Sequence, residues 1–390
     1  MVGTVLARLG RKPAALAAVA AVLVSACTVS HHMQSLDSMD ASNGGDNDGA
    51  VQRDAGIEDY SCEARSAGDG PAVSWFGPGR EADRRSLAAW CSAVGPVELR
   101  PEPARSLISP AEDSAVTVVT WNVHVGGGDL IGFLSTELGY ECSVEGTREL
   151  PKHFVLLVQE AYRSSDVVPM PPEDAIVPGR IAERPPSGPR LDIVEVAEAC
   201  GLALFYVPSM RNGVEAGEQG REDRGSAILS TLRLADPVAI ELPLEAQRRA
   251  TVAATVSGPD DHPLRVVSVH FDVAANILRV LSTGGSMRVR QNDGQTEALD
   301  RLDPEGIMPV VVAGDLNTWS ARETVIQRML KTYPESPAPG RDKTRGDWPP
   351  DHLFFRAGSG PFELVEGSYR VLEDAHGSDH KARLAEFTAR

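Results

Sequence analysis

Pro309-Val310-Val311-Val312-Ala313-Gly314-Asp315-Leu316-Asn317 decides how the rest of the chain is read. Its first half is apolar and β-branched at successive positions, the pattern of a strand buried on both faces. Gly314 ends the run, and Asp315 and Asn317 follow two residues apart. Residues at that spacing share one face of an extended segment. A carboxylate and a carboxamide therefore emerge together at the C-terminal end of a buried strand. That pairing suits a hard divalent cation and a phosphate oxygen, which need rigidly held oxygen ligands and hydrogen-bond donors. Taken alone, G-D-L-N is more often a simple Asx turn, so its meaning depends on the other strand ends.

Those ends repeat the pattern. Apolar strand-like runs occur at Val116–Trp121, Phe154–Val158, Leu202–Val207, Ser226–Ser230, Thr251–Val256, Arg265–Val269, His352–Phe355 and Ala382–Phe387. Helix-like stretches fall at Arg190–Ala199, Gln295–Leu302 and Ala321–Lys331. Strands mixed with helices, without an internal repeat, fit one large α/β or α+β domain. The first strand runs into Asn122 and His124, the second into Gln159-Glu160, and a later one into His270 and Asp272. Asp351-His352 and Ser378-Asp379-His380 follow near the C-terminus. A single polar strand end means little. Five segments delivering Asn, Glu, His, Asp/Asn and Asp-His describe a site at one edge of a pair of sheets. The run Gly126-Gly127-Gly128 reads as a loop, with backbone N–H groups that a phosphate would fit only in a cradle geometry.

The N-terminus reads differently. Arg8, Arg11 and Lys12 precede an apolar stretch from Pro13 to Val24 that is too short to span a bilayer. It closes on Val24-Ser25-Ala26-Cys27, which resembles a bacterial lipobox in which Cys27 is lipidated. The expectation is a lipoprotein-type signal peptide over 1–27, with simple cleavage near Ala26 as the alternative. Residues 28–60 hold seven acidic residues against one arginine and almost no large apolar ones, the composition of a disordered acidic tether. Residues 61–110, rich in Pro, Gly and Arg, form a small Cys-containing extension, and 111–390 the main domain. These segments place the chain at a bacterial cell envelope, exported and lipid-anchored, facing the periplasm or the exterior.

The formal charge of −17 rests mainly on the folded part, since the basic leader and the acidic tether together contribute little of it. An acidic body argues against a broad basic footprint on nucleic acid. The local basic cluster is Arg341-Asp342-Lys343-Thr344-Arg345, where Arg341 and Lys343 are candidates to hold a substrate phosphate. Apart from Cys27 the chain has Cys62, Cys91, Cys142 and Cys200, an even number that suggests disulfides in an exported protein. Three pairings are open. Cys62–Cys91 with Cys142–Cys200 is favoured because the first two share a short segment of their own. None has zinc-ligand spacing.

The ordered motifs W-N-x-H (Trp121–His124), Q-E (Gln159-Glu160), R-G-x-A-I-L-S (Arg224–Ser230), V-H (Val269-His270), G-D-L-N, D-H-L (Asp351–Leu353) and S-D-H (Ser378–His380) resemble the endonuclease/exonuclease/phosphatase superfamily. The resemblance runs from about Val116 to the C-terminus. It implies a DNase I-like α+β fold, a four-layer α/β/β/α sandwich of two mixed β-sheets flanked by helices. It implies phosphoester hydrolysis with Mg2+, or Mn2+ or Ca2+ in its place, held by Asn122, Glu160 and Asp379. His380 paired with Asp351, Asp315 on the attacking water, Asn317 on the phosphate and His270 on the phosphate or leaving group complete the implied catalytic set. Arg224, near the site, is a candidate phosphate clamp. The implied substrate is a nucleic acid or a phospholipid headgroup, and the implied enzyme a monomeric phosphodiesterase or nuclease. A phospholipid hydrolase of the sphingomyelinase kind and a non-catalytic surface-binding lipoprotein on the same fold are the alternatives.

Overall fold

A computed structural model describes residues 62, 72–78, 80–104, 115–142, 152–170, 188–212, 220–273, 286–339 and 342–389. The signal segment with Cys27, the tether over 28–60, and Arg341 lie outside the described residues. Among the described residues no helix is long and apolar enough to cross a membrane.

The strand read first from the sequence, β10 (Val310–Asp315), lies inside a six-stranded sheet. The order there is β1 (Ser74–Phe76), β7 (Ala235–Glu241), β8 (Ala250–Ser257), β9 (Pro263–His270), β10 and β11 (Asp351–Arg356). β10 runs parallel to β9 and antiparallel to β11, so Asp315 is level with His270 on one side and Asp351 on the other. Gly314 is required here because a Cβ at that position would collide with the Val269 carbonyl oxygen of β9.

The second sheet has the order β12 (Phe362–Leu364), β14 (Arg383–Ala389), β3 (Val116–Asn122), β4 (His153–Ser164), β6 (Glu222–Ser230), β5 (Ala203–Arg211) and β2 (Glu98–Arg100), with β13 (Arg370-Val371) also paired to β14. β1 and β2, from the N-terminal Cys-containing segment, add an edge strand to each sheet.

Alternation along β10 separates the layers. Val311 and Ala313 join Val118, Leu157, Phe205 and Phe387 in the core between the sheets. Val310 and Val312 face the other way, with helices α4 (Ser286–Leu302) and α5 (Thr324–Thr332). On the second sheet Val119, Trp121, Leu156 and Val158 pack against α2 (Leu130–Leu138) and α3 (Ile193–Cys200). Both sheets are thus apolar on both faces, which explains why their strands read as continuous apolar runs rather than alternating ones. The result is the DNase I-like sandwich of two mixed sheets between helical layers. A further helix, α1 (Glu81–Ser92), carries Cys91.

The sequence reading missed α1 and α2 and the strands β1, β2, β7, β12 and β13. It also started α4 late, since the N-terminal half of that helix, Ser286–Gly294, is largely polar. α2 is short, and both its ends are local: Asp129 accepts from the Gly132 N–H at its start and Gly139 closes it in the left-handed conformation. The glycine run before it is a hydrogen-bonded turn. Gly127 and Gly128 donate to the carbonyls of His124 and Val123, so those N–H groups are not free to cradle an anion.

Both disulfides favoured from the sequence are formed, Cys62–Cys91 and Cys142–Cys200. The second closes a 58-residue span between α2 and the end of α3, over the helices that cover the second sheet. Two such bonds belong to an oxidising compartment. Replacing Cys142 and Cys200 together by serine should lower the unfolding free energy by about 4 kcal/mol, the loop-entropy value for a span of that length. Denaturant unfolding of the oxidised proteins measures it, and an unchanged midpoint would count against a structural role for the bond.

Candidate active site

The polar strand ends converge because the two sheets present the same edge. β3, β4, β9 and β10 deliver their C-terminal ends there, while β11 and β14, antiparallel to β10 and β3, start there. Asn122 ends β3 and its Nδ2 donates to Asp315 Oδ2 of the other sheet at 3.0 Å. Its Oδ1 accepts from the His124 N–H at 3.0 Å. Gln159 makes a second bridge beneath, donating to Ser268 Oγ of β9 at 3.0 Å.

Gln159 and Glu160 sit at a β-bulge where β4 slips in register against β6, and Glu160 has a φ of 56°. A bulge inserts a residue without a ladder partner and re-aims its neighbour. Gln159 turns inward to the intersheet hydrogen bonds, while Glu160 meets Arg224, whose Nη1 donates to Glu160 Oε2 at 2.9 Å.

His380 precedes β14 and is fully buried. Its Nδ1 is 2.8 Å from Asp351 Oδ2, and its Nε2 is 3.8 Å from Asp315 Oδ2. Burial opposes a charged ring, but the charge and hydrogen bond of Asp351, then Asp315 and Asp379, outweigh it and push the pKa up to about 9. Asp351 responds in the opposite sense. Burial would raise its pKa, yet His380, the Thr344 hydrogen bond and Arg383 hold it below the usual carboxylate value. Asp315 is raised to about 6 by burial and by the charge of Asp351, against His380, the Asn317 N–H and Asn122.

His270 is set differently. Arg249 Nη1 lies 3.1 Å from His270 Nδ1. An arginine can only donate, so Nδ1 accepts and the ring proton sits on Nε2. Nε2 faces Asp315 Oδ2 at 3.6 Å. Burial first, then the positive charges of Arg249, Arg224, His380 and Arg345, hold the His270 pKa well below 6.5. The site therefore contains one cationic and one neutral imidazole, both turned toward a single carboxylate.

The remaining expected residues fall as follows. Asn317 adopts a φ of 52°, donates from its backbone to Asp315 Oδ1 at 2.7 Å, and places Nδ2 on the Phe271 carbonyl at 2.9 Å. Asp379 is at the site mouth, with Oδ2 2.5 Å from Arg345 Nη2 and Oδ1 3.8 Å from His380 Nε2. Lys343 is exposed and paired with Asp347. Asp272 accepts from the Ala246 and Gln247 N–H groups, a structural task that holds the loop before β8. His352 is buried against Thr318 Oγ1 at 2.8 Å, with burial lowering its pKa to about 3.

Arg249 went unnoticed in the sequence, and Arg345 was not singled out. Arg249 has no periodic signature, because Arg248-Arg249 at the head of a strand reads as an exposed basic pair, although both are buried. Arg345 stood in the noted basic cluster, but spacing alone could not tell which of its members reaches the site.

Several carboxylates and imidazoles compressed into one buried seam between sheets can move protons and neutralise anionic charge. The Endonuclease/Exonuclease/phosphatase family model matches residues 119–380, and the chain belongs to that family. Its members are phosphoester hydrolases. Similar solved structures include an endonuclease/exonuclease/phosphatase from Beutenbergia cavernae, 18% identical, covering 71% of this chain and 72% of that one with a TM-score of 0.47. The human Nocturnin catalytic domain with bound sulfate is 15% identical, covering 71% and 96%, with a TM-score of 0.45. Sphingomyelinase C from Streptomyces griseocarneus is 13% identical, covering 70% and 99%, with a TM-score of 0.40. No curated protein matches the sequence.

The site generates two predictions. A histidine whose pKa rises on folding stabilises the fold fully below its unfolded pKa of 6.5, and that contribution disappears as pH climbs through about 9. The stability gap between wild type and His380→Gln, measured by denaturant in EDTA, should therefore be widest near pH 6 and narrow toward pH 9. A gap that widens with pH would contradict the ion pair. Second, imidazole nitrogen NMR should show His270 as the neutral Nε2–H tautomer near pH 6, and Arg249→Leu should release the ring into mixed tautomers. A protonated His270 at that pH would refute the assignment.

Proposed function

We propose that the chain is a divalent-metal-dependent phosphodiesterase or nuclease acting at the cell envelope. The observation that carries this reading is the buried run Asp351–His380 to Asp315–Asn122 across the two sheets, with neutral His270 facing the same Asp315. The disulfides and the leader with Cys27 support export and lipid anchoring.

The residues fit a hard cation. Mg2+ keeps most of its waters and takes one or two protein carboxylates plus substrate phosphate. Glu160 supplies a buried carboxylate, and Asn122 ends the neighbouring strand. Asp379 would join from the mouth on leaving Arg345. When bound, the cation polarises the phosphoryl oxygen and offsets charge developing on the phosphate.

The protein groups divide the remaining work. Asp315, with its pKa lifted to about 6, is ionised at neutral pH yet basic enough to take a proton from the attacking water. His380, cationic through Asp351, neutralises negative charge on the phosphate as the fifth oxygen arrives, rather than acting as the base. His270 offers its Nε2–H as a neutral donor to a phosphate oxygen or to the leaving group. Asn317 fixes Asp315 through its N–H and stands beside the phosphate position. Arg224 holds Glu160 in its bulge and stays within reach of the same anion. Arg341 and Lys343 remain candidates for contacts further along the substrate.

The test is hydrolysis of DNA, RNA, sphingomyelin and a chromogenic phosphodiester by the purified protein, with and without EDTA. Glu160→Gln should abolish metal-dependent turnover, and it should also lower stability, because the buried Arg224 guanidinium loses the carboxylate charge it is paired with. His380→Ala and Asp315→Asn should each cost about 10²–10⁴-fold in kcat or more, and Asp351→Asn should cost less than His380→Ala because the ring remains. Near wild-type rates for both His380→Ala and Asp315→Asn would mean that the seam is not the catalytic centre.

A further inference from the structure

Six large hydrophobic side chains are exposed among the described residues, and two of them are tryptophans in contact with each other. Trp319 is 37% and Trp348 50% exposed, with ring centroids 5.3 Å apart and planes tilted by 48°. Each rises from a segment that also carries part of the candidate site. Trp319 is two residues beyond Asn317, and Trp348 is three residues before Asp351. The two segments are tied together, since Thr318 Oγ1 donates to the Pro349 carbonyl at 3.1 Å. Trp348 also closes a tight turn on Arg345, with backbone bonds in both directions. Arg345 reaches from that turn to Asp379, beside His380. The turn is braced from below, where Lys381 N donates to the Thr344 carbonyl and Asp351 N to Thr344 Oγ1.

Exposed tryptophan faces in contact, fixed at the rim of a phosphoester site, call for a partner. We infer that Trp319 and Trp348 form a stacking platform for the nucleobase of a nucleotide substrate whose phosphate lies in the seam. This rests on the phosphodiesterase reading and narrows it to nucleotides or single-stranded nucleic-acid ends. The surroundings favour a base over a lipid surface. Membrane insertion needs an apolar field, whereas the neighbours here are Lys343, Asp347, Arg322 and Glu323, of which Lys343 and Asp347 are exposed and ion-paired. The net charge of −17 also disfavours a grip on a long duplex, which relies on many phosphate contacts. A stacked base with one phosphate needs only aromatic faces and a local cation, which Arg345 supplies. Stacking tolerates any base, so the platform sets the class of substrate without reading its sequence.

The test uses the full chain in EDTA and follows tryptophan fluorescence on titration with adenosine 5′-monophosphate, ribose 5-phosphate and phosphatidylcholine vesicles. The mononucleotide should quench the signal and bind at least tenfold tighter than ribose 5-phosphate, with no response to vesicles. Trp319→Ala and Trp348→Ala should each weaken nucleotide binding by about 5- to 100-fold, the range for loss of one base–aromatic stack. Trp348→Phe should recover most of the affinity and Trp348→Leu should not. Equal binding of the two phosphates, unchanged affinity in both alanine variants, or a response to vesicles alone would overturn the platform. If wild type hydrolyses phosphodiesters but the tryptophans make no difference, the platform fails and the phosphodiesterase reading stands. If the platform binds nucleotide but no diester is cleaved, the reverse holds.

Discussion

The hydrogen bond from Asn122 to Asp315 joins the two sheets at the edge where the chemistry gathers. It is one contact of 3.0 Å, but its position makes the rest follow. A sandwich with apolar strands on both faces has few places where charged groups tolerate burial. Here Asp315, Asp351 and His380 are all essentially inaccessible. A buried charge without partners is costly, so each must be satisfied by another. Asp351 is balanced by His380, Asp315 is held by Asn122 and Asn317, and His270 is kept neutral by burial and by Arg249. The shifts in proton affinity are consequences of that mutual dependence. At neutral pH they leave Asp315, with its pKa near 6, as a carboxylate beside His380, with its pKa near 9, as a cation.

The same constraint accounts for the backbone irregularities. Glu160 and Asn317, both proposed functional groups, have positive φ, and Gly314 passes too close to β9 for any side chain. Unusual backbone at such positions is maintained only where surrounding structure over-determines it. Two packed sheets supply that support. The helices on each outer face and the two disulfides stiffen the frame without entering the seam.

Much of this was legible in the sequence because buried strands announce themselves as apolar runs and their ends as polar punctuation. The strands from Val116 to Phe387 and the convergence of Asn122, Glu160, His270, Asp315, Asp351 and His380 could be read that way. The strand β7, inside the edge strand β1, could not, since Ala235-Asp236-Pro237 looks like a turn. Nor could the electrostatic settings. Nothing in the letters distinguishes His270 from His380, yet an arginine beside one and an aspartate beside the other give them opposite charge states. Arg224 on Glu160 and Arg345 on Asp379 were equally hidden, because both are contacts between strands or loops distant in sequence. The Trp319–Trp348 contact is of the same kind.

The central claim is that His380 and Asp351 act as one catalytic unit within this seam. A double-mutant cycle in kcat/KM tests it most directly, on whichever phosphodiester the protein cleaves, comparing His380→Ala, Asp351→Asn and the combined variant. If Asp351 works only through His380, the combined variant should lose no more than His380→Ala alone, as residues of a single unit are strongly non-additive. Fully additive losses would contradict the account and assign the two residues independent roles.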